Sequence, residues 1–311
     1  MADISGERIT ALTATTSPAT GDQFMIDSAT NGARKIDYSA LSTAILNQLT
    51  TKTYTLDAGT KTLIAALNEV NIANTGAGFH NSICRNKYLG TSVTSAQWSA
   101  IANGTFTDMF VGDYWTINGV NWRIAGFDYW YNNGDAACTT HHVVIVPDSA
   151  LTSGKMNDTN ITTGGYLGSD FYTGNNSNTA FATAKTAVNN AFGSSHILTH
   201  REYLSNATSN GYVSGGTWAD STVELMNETM VYGNKFFENV MNGTNIPAAY
   251  TIDNSQLPLF AMDHSRICNR GSWWLRSVAS AANFSRVGSD GGCGYYSASY
   301  SVGVRPAFGI K

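Results

Sequence analysis

Charge is what this sequence has least of. Only 13% of its residues are Asp, Glu, Lys or Arg, and the formal net charge is −4. No run of basic residues is present, which argues against nucleic acid or an anionic membrane surface as a partner. No apolar stretch approaches the roughly 20 residues of a membrane span, so membrane insertion is not expected. The opening "MADISGERITALTATTSPAT" is polar throughout and lacks the layout of a signal peptide. Four cysteines, Cys84, Cys138, Cys268 and Cys293, lie far apart. That spacing reads as free thiols of a chain made in a reducing cytosol, not as a disulfide framework.

Catalytic signatures are missing as well. There is no GxSxG, HExxH, Walker A or strand-borne GxGxxG motif. A Glu-Pro-Asn calcium signature is absent too. Cys138, His141 and His142 stand close together, and His264 with Cys268 is the best remaining pair of possible metal partners. The two spacings do not match, so these side chains are expected in the core or at strand ends, with no metal and no cofactor. Glu224 and Glu228 sit four apart, the spacing of a solvated helix face, and nothing selects them or Asp220 as an acid/base pair.

What the chain does have is 30 Gly, 15 Tyr and many Ser, Thr and Asn. Neutral-polar surfaces of this kind belong to extracellular or virion β-rich proteins more than to cytosolic enzymes. At 311 residues it can hold one or two domains.

Three stretches organise it. Residues 1–50 read as a small module: a strand at "QFMID", then a helix carrying Leu41, Ile45 and Leu49 at i, i+4, i+8. That stripe is narrow and calls for a partner such as further copies of the same helix. "TTKTYT" reads as a linker. Residues 51–108 read as linker and helical connector, with Leu63, Ile64, Leu67 and Val70 on one apolar face and a Thr94–Gln97 capping box before Gly104. Residues 109–311 form the main domain. "YWTINGVNWRIAGFDYWY" alternates around an Asn-Gly turn, and "HHVVIVPD" is a buried strand. "TAFATAKTAVNNAFG" is a helix with Phe181, Ala184, Val188 and Phe192 on one face. "STVELMNETMVYG" reads as a second helix opened by a Ser221–Glu224 box, while "SWWLRSVAS" and "GVRPAFGI" are late strands. The class is α+β, without a solenoid-type repeat. Trp115, Trp122, Trp130 and the Trp273–Trp274–Leu275–Arg276 cluster are core, with Arg276 structural.

Between Ser285 and Val302 the composition changes: no Lys, Glu, Gln, Met, Trp, Leu or Pro occurs. Tyr among Ser and Gly is the chemistry of antibody loops, where Tyr gives contact area at low entropy cost and Ser and Gly adapt. The ligand-binding set is expected to be Arg286, Gly288, Ser289, Asp290, Gly292, Cys293, Gly294, Tyr295, Tyr296, Ser297, Tyr300 and Val302. All these types are reached from the Asn codon AAC by changing only its two adenines. Cys293 fits either as a product of such change at an exposed position or as a buried framework residue.

"WWLRSVASAANF" followed by "GVRPAF" resembles the variable region of proteins diversified by retroelements through adenine-specific mutagenesis. "GDYWTINGVNWRIAGFDYW", "HHVVIVPD", "HREYL" and "STVELMNETMVYG" are similar to the gut-phage branch of that group, so the resemblance covers roughly residues 79–311. Residues 1–50 resemble, over a shorter stretch, the virion-attachment end of phage tail or head fibres. The resemblance implies a C-type-lectin-like domain at 109–311, a variable region at about 283–304, and a homotrimer. It implies a non-enzymatic receptor-binding protein, made in the bacterial cytoplasm and carried on the virion. Its N-terminus would meet tail or capsid proteins and its variable face a host surface protein or glycan. A virion glycan-degrading enzyme and a structural decoration protein are the alternatives.

Overall fold

The computed structural model describes residues 17–28, 30, 32–56, 59–73, 75–238 and 255–311. The first sixteen residues of the expected attachment module lie outside the described residues. The chain divides into two units, 1–73 and 74–311.

In the first unit, β1 (Gln23–Ser28) and β2 (Gly32–Asp37) form an antiparallel hairpin with Gln23 opposite Asp37, and α1 (Tyr38–Thr51) follows at once. The same plan then recurs. β3 (Thr53–Leu56) pairs with β4 (Gly59–Thr62), and α2 (Leu63–Ala73) follows. The expected linker "TTKTYT" is therefore the end of α1 and the start of a second hairpin. No residue of α1 is buried: Ile45, Leu46 and Leu49 are exposed, as are Leu63, Ile64, Leu67 and Val70 of α2.

The second unit begins inside the expected connector. α3 (Ala77–His80), β5 (Tyr88–Gly90) and α4 (Ser95–Ala102) belong to its body, and Ala100, Ile101 and Phe106 enter its core. The connector is thus split at residue 73, because its later part has apolar side chains that the second unit buries. Thr94 and Gln97 close the anticipated capping box on α4. β6 (Tyr114–Ile117) and β7 (Val120–Phe127) make the anticipated hairpin, with Asn118 and Gly119 both at positive φ (52° and 77°) as a tight right-twisted turn requires. β8 (Val143–Pro147) is wholly buried. Then come β9 (Thr152–Gly154), α5 (Asp170–Thr173) and α6 (Ala180–Phe192), the last burying Phe181, Ala184, Val188 and Phe192 as its spacing implies. β10 (His200–Ser209) and β11 (Tyr212–Ser221) form a long separate hairpin.

"STVELMNETMVYG" is not one helix. It is β12 (Val223–Leu225) followed by the short α7 (Glu228–Tyr232). Glu224 stands opposite Ala307 in a strand ladder, and the Asn227 side chain caps α7 by accepting the Met230 N–H at 2.7 Å. α8 (Pro258–Met262), β13 (Trp273–Val278), β14 (Asn283–Val287), β15 (Cys293–Ser297), β16 (Val302–Val304) and β17 (Pro306–Ile310) complete the unit.

Two sheets carry the architecture, ordered β12-β17-β8-β7-β6-β5 and β15-β14-β13-β16-β9. The late "GVRPAFGI" stretch is two strands rather than one, and it passes from the second sheet to the first at Arg305. That side chain is fully buried; its Nε and Nη1 donate to Pro147 O and Arg266 O at 2.7 Å, and its guanidinium lies 4.9 Å from the Trp273 ring centre. Alternation along β13 divides the core. Trp273 packs into the cluster under the six-stranded sheet, and Trp274 into the cluster with Phe171, Phe181 and Phe284. Both indoles are fully buried, and Trp274 Nε1 donates to Gly154 O at 2.8 Å. The α+β class holds. No helix among the described residues is long and apolar enough to cross a membrane.

Candidate functional site

The stretch singled out by composition folds as a hairpin at the rim of the five-stranded sheet. β14 lies beside the buried β13, and β15 is the outer strand. The turn between them is tightly made. Gly288 N–H donates to Gly292 O at 2.7 Å, Gly291 N–H to Gly288 O at 2.9 Å, and Gly292 N–H to Asp290 Oδ1 at 3.0 Å. Gly291 has φ +84°, and a Cβ there would meet Cys268 Cβ at 2.9 Å, so this one turn position is confined to glycine. Ser289, Asp290 and Gly292 around it are exposed.

The expected tyrosines do not share a face. Paired residues of an antiparallel ladder point the same way, and neighbours along a strand point oppositely. Tyr296 is paired with buried Phe284, and Tyr295 with buried Ser285. They therefore project from opposite sides of β15, and both remain open to solvent, as does Tyr300, the most exposed of the three at 59%. On one side the Arg286 guanidinium lies 4.0 Å from the Tyr296 ring centre and Tyr300 stacks on Tyr296 at 5.4 Å, a ladder of three planar groups. Arg286 is steadied by Ser272, whose Oγ accepts from Nη1 at 3.1 Å. On the other side Tyr295 meets the Phe237 ring edge-on at 5.0 Å. Phe236 beside it is exposed and packs edge-on against Tyr232, whose hydroxyl donates to Gly291 O at 2.9 Å. Composition did not single out these three aromatics. The adjacent "FF" in the polar stretch "GNKFFEN" was the available signal.

Two members of the expected set take other roles. Val302 is buried in the second core cluster and cannot reach a ligand with its side chain. Gly288 is buried within its turn and presents only backbone. Cys293 is half-buried opposite Val287; burial, with the Glu228 charge adding to it, pushes its thiol up to about 12, so it is not a reactive thiolate. Gly294 and Ser297 are partly exposed, and a Cβ at Gly294 would meet only the Arg286 guanidinium at ordinary contact distance.

Behind the hairpin lies a buried polar network. The Glu228 carboxylate accepts the backbone N–H of Phe237 at 3.0 Å and of Glu238 at 3.1 Å, that of Phe236, and the Ser285 hydroxyl. It thus ties α7, the Phe236–Phe237 turn and β14 together. Glu202 pairs with Arg276 at 2.7 Å and with His200 at 3.0 Å. Burial pushes the Glu202 carboxyl up, but the Arg276 and His200 charges outweigh it and hold the group below its usual range. Glu224 accepts hydrogen bonds from the Tyr166 hydroxyl at 2.7 Å and from Ser221 Oγ. Burial, with the Glu202 charge next in size, lifts its pKa to about 7. The solvated helix face expected for Glu224 and Glu228 is therefore wrong: strand pairing and the core enclose both. Asp220 is exposed and pairs with Arg201 at 3.0 Å.

The cysteines and histidines weighed as metal partners are dispersed. His141 Nδ1 lies 2.8 Å from Asp128 Oδ2, and its ring stacks on Tyr131. His142 Nε2 accepts from Trp130 N–H at 3.1 Å, and Cys138 Sγ donates to Thr140 O. Among the described residues no three His, Cys, Asp or Glu gather as a metal site. Comparison with protein-family models, curated proteins and solved structures finds no match for this chain.

Proposed function

We propose that this chain is a bacteriophage receptor-binding protein whose second unit is a C-type-lectin-like domain and whose β14–β15 hairpin binds a host surface molecule. The observation that carries the reading is the contrast within a few residues. A double-tryptophan strand is sealed in the core, and β15 with the turn that follows it presents Tyr295, Tyr296 and Tyr300 to solvent. A framework of that kind tolerates change at the exposed positions, which fits diversification by adenine-specific mutagenesis. The protein acts by binding, without a cofactor. Its placement on the virion and its contact with tail or capsid proteins through residues 1–50 rest on the sequence resemblance. Trimer formation through the first unit is supported by the bare apolar residues of α1 and α2, which a second and third copy would cover.

Replacing Tyr295, Tyr296 and Tyr300 together by Ser tests the binding reading. Host-cell adsorption is expected to disappear, since interface aromatics contribute about 1–3 kcal/mol each. Folding should survive, because exposed substitutions shift stability by about 0.5 kcal/mol each. Trp274→Ala is the contrasting variant, expected to lose about 3–5 kcal/mol and to unfold or aggregate. A triple variant that adsorbs normally, or collapses as Trp274→Ala does, rejects the reading.

A further inference from the structure

A cavity of about 280 Å³ opens between Asp148 and the loop from Ser265 to Arg270. It adjoins the 288–292 turn through Cys268, which lies in its wall and donates Sγ–H to Ser289 O at 3.5 Å. We infer that this cavity is a subsite for an anionic group, a carboxylate, sulfate or phosphate ester borne on a sugar of the receptor. The anion chemistry stands on the cavity itself, and only its carrier rests on the receptor-binding reading.

The charge balance around the cavity is one-sided. Its lining carries two guanidiniums, Arg266 and Arg270, and one carboxylate, Asp148, with Arg123, Arg305 and Asp263 hydrogen-bonded directly to these lining residues. Arg123 holds Asp148 with both prongs at 2.6 Å, and Arg266 holds Asp263 at 3.0 Å. Each of those pairs is neutral in itself. Arg305, fully buried outside the lining, donates Nε to Pro147 O and Nη1 to Arg266 O, and among the described residues its Nη2 has no hydrogen-bond partner. Arg270, also in the lining, is exposed and makes no ion pair or side-chain hydrogen bond among the described residues. Its backbone sits at φ +62°, a region arginine rarely adopts. Arg266 adds Nη1, which lies 3.9 Å from Asp148 Oδ1, while its Nη2 donates to Asn86 Oδ1 at 3.3 Å. Ser265 and Asn269 are already committed, to Asp263 and to Asp148 O respectively. Asp290, in the neighbouring turn, is engaged by Gly292 N–H. The free donors in the lining are therefore the Arg270 fork and Nη1 of Arg266, and the planar guanidinium of Arg270 matches the paired oxygens of carboxylate, sulfate and phosphate. The volume lies at the low end for ligand pockets and suits one charged sugar, not an extended chain.

The test is calorimetric titration of the full-length protein, at constant ionic strength, with sulfate, phosphate, glucuronate and uncharged glucose. Saturable binding of the anions and none of glucose is expected. Arg270→Gln should weaken it by about tenfold or more with an unchanged melting temperature, and Arg270→Lys should restore only part of it. Glucuronate binding tighter than the inorganic ions assigns a sugar-borne carboxylate; equal binding assigns a free anion. No saturation with any anion, or Arg270→Gln binding as the parent does, overturns the inference. The triple Tyr→Ser variant keeps the two proposals separable, because it should bind the anions normally. If it loses adsorption while the parent binds no anion, the cavity fails and the receptor face stands. The opposite pattern rejects the receptor face and leaves the cavity.

Discussion

Glu224 keeps its proton further up the pH scale than a free carboxyl does, because burial raises its pKa from 4.5 to about 7. The unfolded chain releases that proton near 4.5 while the folded chain holds it. The stabilising contribution is therefore complete below 4.5 and is lost as pH rises towards 7. Two neighbours run the other way. Glu202, held low by Arg276 and His200 against its burial, contributes stability above its unfolded value and loses it on acidification. His142, depressed to about 3 by burial, loses stability as pH falls below 6.5. Glu224→Gln isolates the first effect, since glutamine stays neutral throughout. The melting temperature of Glu224→Gln, relative to the parent, should be more favourable at pH 8 than at pH 5. A difference that stays flat over that range shows that Glu224 does not hold the proton. Nothing in the sequence disclosed this group: its helical spacing to Glu228 pointed outward, and the strand that encloses it comes from the far end of the chain.

Among the elements, the join of α7, β14 and the Phe236–Phe237 turn depends on one side chain. The Glu228 carboxylate accepts three backbone N–H groups and the Ser285 hydroxyl, and Gln at that position would turn an NH₂ towards donors. Glu228→Gln should cost about 2–3 kcal/mol in urea unfolding and speed hydrogen exchange at Phe237 and Glu238. A parental midpoint with unchanged exchange would remove Glu228 from this role. Local patterns were legible where the chain supplied its own partner. The Asn118–Gly119 hairpin, the Thr94–Gln97 box and the buried face of α6 all formed as read. Patterns failed where the partner was remote. "STVEL" became a strand because β17 pairs with it, and "GVRPAFGI" broke at Arg305 because two sheets compete for it. The hairpin of the candidate site was visible as a shift in composition, but not that its tyrosines straddle an edge, which only the register fixes.

For the whole molecule, the bare apolar residues of α1 and α2 set the expected assembly. The full chain should scatter light as a trimer at micromolar concentration, and residues 74–311 alone as a monomer; a monomeric full chain defeats the trimer. The boundary at residue 73 was not legible, since α2 and α4 both carry apolar side chains and nothing local shows that those of α2 stay exposed while Ala100 and Ile101 of α4 are buried. The order of the strands also constrains biosynthesis. β16 lies between β13 and β9, and β17 between β12 and β8, so residues 302–310 fill interior slots in both sheets. At about 5–20 residues per second, the ribosome holds the earlier strands for many seconds with those slots vacant. Neither sheet can close before residues 302–310 have emerged. The second unit therefore completes its folding only once its last strands have emerged, and until then it carries two open seams at once.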